Sequence, residues 1–175
     1  TTLLPGLLNT VSHNYRHGQR NIRIFEVGST FAKREPEAHE DEKNRLLPAE
    51  DLRLGVCLVG GRFQGRWYEG KEEVDFSDLA GLVDNVLENF RCEDFGQRYK
   101  GEDARFNPHC TVKILLGSEV IGIGGEVHPE YREKFDLDMR VFCAELSLTK
   151  LLEAQAQTLQ YSPLERLPGT QRDVA

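Results

Sequence analysis

The sequence predicts an α+β domain around a mainly antiparallel sheet. Alternating apolar segments recur at 21–31, 51–61 and 110–126, and the last holds a two-residue turn that begins with glycine. Helix-period apolar stripes stand at 4–15 and 76–90, beside these tight hairpins rather than between parallel strands.

Each element has a local cause. Leu4, Leu7, Leu8, Val11 and Tyr15 recur at helical spacing, with Pro5 at an early position and Gly18 as the stop. In "NIRIFEVGSTF", Ile22 and Ile24 share a face with Glu26, while Phe25 and Val27 share the other with Arg23. Residues 35–50 form an acidic insertion, read as a solvated loop between two strands. "DLRLGVCLVGG" then puts Leu52, Leu54, Val56 and Leu58 on one face and stops at Gly60–Gly61.

The clearest helix follows. Phe76, Leu79, Val83, Val86, Leu87 and Phe90 make a stripe of period 3.6, and Asp75 with Asp78 forms a box-like cap. Cys110, Val112, Ile114 and Leu116 alternate up to the Gly117–Ser118 turn. "RVFCAELSL" is a last strand, and Ser147 is placed to cap a closing helix through Leu148, Leu151 and Leu152. The tail from Tyr161 to Ala175, with Pro163 and Pro168, reads as an exit linker.

Composition excludes several function classes. At 175 residues, 39% of them hydrophobic, the chain can bury a core without metals or disulfides. A net charge of −7 argues against a nucleic-acid-binding surface spread over the whole domain. No apolar run approaches a membrane span of about 20 residues, and the N-terminus lacks the basic region of a signal peptide. The absence of an initiator methionine suggests an excised or processed piece of a longer chain. Cys57, Cys92, Cys110 and Cys143 have no C-x-x-C spacing, so reduced, half-buried cysteines in a cytosolic protein are expected.

In "IGIGGEVHPE", Gly122 and Gly124 fit a dinucleotide fingerprint, but Val127 occupies its third glycine position. The plainer reading is a strand in which Gly122, Gly124 and Gly125 admit a close neighbour. His128 is read as a helix cap, with Pro129 in the first turn and Glu130 favourable to the helix dipole. His13, His17, His39 and His109 show no metal spacing. Glu26 and Glu145 each sit among apolar same-side neighbours, either at solvent-facing strand edges or in a site. Phe63 and Trp67, in a polar stretch, are candidates for a contact surface or for core packing.

Several phrases, in order, resemble one family. "TTLLPGLLNTVSHNYRHGQRNIRIFEVGSTF", "VDFSDLAGLVDNVL", "IGIGGEVHPE" with "FDLDMRVFCAELSL", and "RLPGTQRDVA" are similar to stretches of the beta subunit of bacterial phenylalanine–tRNA ligase. The resemblance implies a class II aminoacyl-tRNA synthetase-like antiparallel sheet flanked by helices. It implies a catalytically inactive copy of the alpha subunit's active domain, in the subunit's C-terminal catalytic-like region. Residues 1–161 would be that domain, and 162–175 a linker toward an anticodon-binding domain. The whole enzyme would pair two alpha with two beta subunits in the cytoplasm and charge tRNA with phenylalanine, using ATP and magnesium. For this chain it implies no catalytic, cofactor-binding or metal residue.

The residues agree with an inactive reading. Class II chemistry needs arginines on the phosphates of ATP. Arg23 stands three positions before Glu26, so a regular strand puts them on opposite faces. The start of the closing helix, "SLTKLL", offers no arginine. The alternatives are a stand-alone binding protein, or a small-molecule enzyme built on Glu26, Glu145 and His128.

Overall fold

The computed structural model describes residues 1–33, 47–63, 72–91, 95–99 and 101–154, with backbone alone at 95–99. In chain order the elements are α1 (Leu4–Arg16), β1 (Ile22–Ala32), β2 (Ala49–Val59), α2 (Phe76–Asn89), β3 (Phe95–Tyr99), β4 (Phe106–Leu116), β5 (Glu119–Val127), α3 (Pro129–Glu133), β6 (Val141–Ser147) and α4 (Leu148–Ala154). The strands form one six-stranded sheet of order β1-β2-β6-β5-β4-β3, antiparallel at every pairing.

Helices cover both faces of this sheet. On one, Leu4, Leu7, Leu8 and Val11 of α1 meet Cys57, Val59, Val127, Val141 and Cys143, with Tyr131 and Phe135 of the α3 region alongside. On the other, Leu79, Val83 and Leu87 of α2 and Leu151 of α4 meet Val56, Val112, Ile114, Phe142, Ala144 and Leu146. Double coverage explains β6, in which all seven residues are buried and no alternation is visible.

The local signals resolve as read. Asp75 accepts from the backbone N–H groups of Ser77 and Asp78, and Asp78 accepts from that of Asp75, at 2.7, 3.2 and 2.8 Å. This reciprocal cap satisfies donors that the first helical turn leaves free. Arg62 clamps the same turn to the end of β2 through Asp75, Asp78 and Glu72. Ser147 accepts from the Lys150 N–H at 3.3 Å and so starts α4. The β4–β5 turn has Gly117 at φ +58°.

The glycines of "IGIGG" lie in β5 and admit neighbours, as the plainer reading expected. A Cβ on Gly122 would stand 2.5 Å from the Glu145 carbonyl oxygen, and one on Gly125 2.1 Å from that of Cys110.

Two boundaries depart from expectation. Strand β3, "FGQRY", has no apolar alternation; it exists because its backbone pairs with Val112–Leu116 of β4. Strand β4 starts at Phe106 rather than Cys110, because a bulge between Phe106 and Thr111 absorbs Pro108. The cysteines also lie deeper than expected: Cys57 and Cys143 are buried, while Cys110 is half-buried. Of the acidic insertion expected at 35–50, residues 35–46 lie outside the described residues, as do Trp67, Cys92 and the expected linker at 162–175. Ala49 and Glu50 already pair with β1 as the start of β2.

Candidate functional site

Burial of charge marks a place where the fold concentrates polar groups near its centre. Among the described residues, two carboxylates are buried, Glu126 and Glu145. Glu126 lies toward the rim, where the half-exposed Arg140 grips both its oxygens at 2.9 and 3.1 Å. The Arg140 hydrogen bonds hold the Glu126 carboxyl below its usual range, against the opposing effect of burial.

Glu145 lies deeper, in the middle of β6. Its Oε1 accepts from Arg53 Nη1 at 2.9 Å, and its Oε2 accepts from the Leu3 N–H at 3.1 Å and from the Thr2 hydroxyl. Leu3 is the N-cap residue of α1 and offers no capping side chain. The carboxylate therefore caps α1 from the sheet, where it meets a free N–H and the positive end of the helix dipole. Gly55, opposite Glu145 on β2, completes the seat: Leu3 and Leu7 press against its bare Cα.

The partners of Glu145 are bound in turn. Arg53 Nε donates to Asp51 at 2.8 Å, and Asp51 accepts from the Ser147 hydroxyl at 2.6 Å. Arg105 donates to Thr2 Oγ1 at 2.8 Å and grips Asp103 through Nε and Nη2. The Arg105 guanidinium holds the Asp103 carboxyl below its usual range, outweighing burial. The network thus joins three carboxylates to two guanidinium groups and carries a net charge of −1. The gap beneath it, bounded by Leu4, Leu7, Phe106, Ile123 and Glu145, admits no water molecule.

The residues singled out from sequence are not brought together. Glu26 shares the sheet row of Glu145 but stands two strands away, with Gly55 between them, or about 10 Å. It is solvent-exposed. His128 lies five residues past Ile123, the β5 partner of Glu145, or about 16 Å along the strand. Its Nδ1 accepts from the Glu130 N–H at 3.3 Å, the expected cap of α3. It lines a cleft of about 820 Å³ with Tyr131, Lys134 and two members of the network, Asp103 and Arg105. A concerted acid–base role for the three residues fails on distance.

Arg23 faces away from Glu26, as the spacing predicts, and donates to the carbonyls of Gly61 and Arg62. Lys150, the first cation within α4, is held by Glu119 and the Val120 carbonyl. His13 and His17 stack on each other at the exposed end of α1. Sequence reading missed Arg53, Asp51, Arg105, Asp103 and Thr2. The usable signal was the second face of β2, where alternation aligns Asp51, Arg53 and Gly55 behind the leucines.

Both arginines at this centre are held by carboxylates over a closed gap, and Arg105 with Asp103 also lines the open cleft beside His128 and Lys134.

Comparison with known proteins completes the picture. The family described as the phenylalanyl tRNA synthetase beta chain CLM domain matches residues 1–148. The chain is similar to the phenylalanine–tRNA ligase beta subunits of Geobacter metallireducens and Geobacter sulfurreducens, at 30% and 35% identity over 175 residues. Each match takes in 100% of this chain and 21% of the relative, so the chain spans about a fifth of their length. Among solved structures, a pyrrolysyl tRNA synthetase from Desulfitobacterium hafniense superposes with a TM-score of 0.60 at 19% identity, covering 91% of this chain and 54% of that one. That likeness establishes the fold, a class II synthetase sheet flanked by helices. With the family match across most of its length, the chain belongs to the phenylalanyl-tRNA synthetase beta chain family.

Proposed function

We propose that this chain is a non-catalytic, synthetase-shaped domain of a phenylalanine–tRNA ligase beta subunit, in that subunit's C-terminal catalytic-like region. It supports a catalytic alpha subunit in a cytoplasmic assembly of two alpha and two beta subunits, which charges tRNA with phenylalanine using ATP and magnesium. Residues 1–161 form the domain, and 162–175 lead toward an anticodon-binding module. The observation that carries this reading is the closed network around Glu145, which spends the central charges of the sheet on anchoring α1.

The surface supports the same reading. Phe25, Val27, Phe31 and Leu52 leave an apolar face on β1 and β2 that is 75%, 50%, 46% and 36% exposed. A contiguous apolar face of this kind is suited to a protein partner. Phe63, at 39% exposure, stands beyond the end of the same hairpin.

The test is phenylalanine-dependent pyrophosphate exchange. The purified chain alone is expected to show none, and to co-elute with an alpha subunit on size exclusion. Exchange by the chain alone that disappears on substituting Arg23 or Glu26 would overturn the proposal.

A further inference from the structure

Beneath α1, and unused by the network above it, Cys57 and Cys143 face each other across the centre of the sheet. They are directly opposed residues of the antiparallel pair β2 and β6. The Cys143 thiol donates to the Cys57 sulfur at 3.1 Å, and the two residues are 0% and 1% exposed. Opposed residues of such a pair hold their Cβ atoms about 4.5–5.5 Å apart, and a disulfide needs about 3.5–4.5 Å. Closing the bond therefore takes a small approach of two side chains already on one face, with no change of strand register.

We propose that Cys57 and Cys143 are a cross-strand oxidation site that closes to a disulfide on reaction with a low-molecular-weight disulfide. One thiolate attacks a sulfur of the small disulfide and expels one small thiol, leaving a mixed disulfide. The second protein thiolate attacks the protein sulfur of that bond and expels the other small thiol. Two protein thiols and one small disulfide become one protein disulfide and two small thiols. Two electrons pass to the small molecule and two protons leave with the thiols.

Access sets the rate. Leu4, Leu7, Leu8 and Val11 of α1 lie over the pair, so reaction waits on local opening of that helix. Burial, then the neighbouring Cys57, pushes the Cys143 thiol above its usual range, which further suppresses attack in the closed state. The site thus reports the seating of α1. Cys110 is half-buried and lies outside this pair.

The experiment uses the 175-residue chain with Cys92→Ser and Cys110→Ser, incubated with oxidised glutathione under native conditions and then alkylated in denaturant. We expect both remaining thiols to be lost, with one peptide linking Cys57 to Cys143 and reversal by dithiothreitol. The thermal midpoint should rise by about 5–10 °C, since the bond closes a long loop, and Leu8→Ala should quicken the reaction. Two alkylated thiols after long exposure, a stable glutathione adduct on either cysteine, or links only between chains would each refute the site. If the double variant does not fold, peptide mapping of the oxidised parent chain decides the same question.

Discussion

Replacing Glu145 with alanine is expected to lower stability by about 3 kcal/mol, measured by urea unfolding. Breaking a buried pair costs about 3–5 kcal/mol because the surviving charge is stranded. The lower end applies here, since Arg53 is 31% exposed and keeps Asp51. The loss also frees the Leu3 N–H, which no side chain of α1 caps. Glu145→Gln should cost less, about 1–2 kcal/mol, because an amide oxygen still accepts that N–H. Glu145→Leu with Arg53→Met should recover part of the loss, as both charges leave together. Full stability in the alanine variant would mean that α1 is seated by its leucines alone.

Gly125→Ala should be at least as damaging, by about 3 kcal/mol or more, through collision rather than charge. The new Cβ would stand 2.1 Å from the Cys110 carbonyl oxygen and 2.9 Å from the Thr111 Cα, both backbone atoms that cannot swing away. The bulge in β4 brings that carbonyl inward, so relief requires undoing the bulge or parting β4 from β5. Gly81, in the exposed face of α2, is the internal control: nothing lies within 4 Å of its Cβ position. Gly81→Ala should raise stability by about 0.5–1 kcal/mol through helix propensity. Equal effects at the two glycines, by the same unfolding assay, would show that contact with Cys110 is not the deciding factor.

These contrasts show what the sequence could and could not reveal. Features written in a few neighbouring residues were legible: the Asp75–Asp78 cap, His128 before Pro129, the Gly117 turn and the stripe of α2. Strand β3 was not, because "FGQRY" becomes a strand only by pairing with residues beyond it in the chain. The network around Glu145 was half legible. A carboxylate among apolar neighbours announced that a partner was needed, but the partner could not be named. Arg53 is 92 positions away, and Leu3 is 142. The strand order sets β2 beside β6 and so brings Arg53, while the seating of α1 over Gly55 brings Leu3. Glu26 carried the same local signal and found a different fate on edge strand β1, where solvent serves as its partner.

In the proposed reading, Arg53 and Arg105, the guanidinium groups at the polar centre of this synthetase-shaped fold, are committed to carboxylates that seat α1 and do not serve a nucleotide. Equilibrium dialysis of the purified chain against labelled ATP with magnesium tests this most directly. We expect no saturable binding through the millimolar range, for the parent chain and for Arg53→Met alike. Saturable binding at micromolar ATP that is abolished by Arg53→Met would contradict that reading.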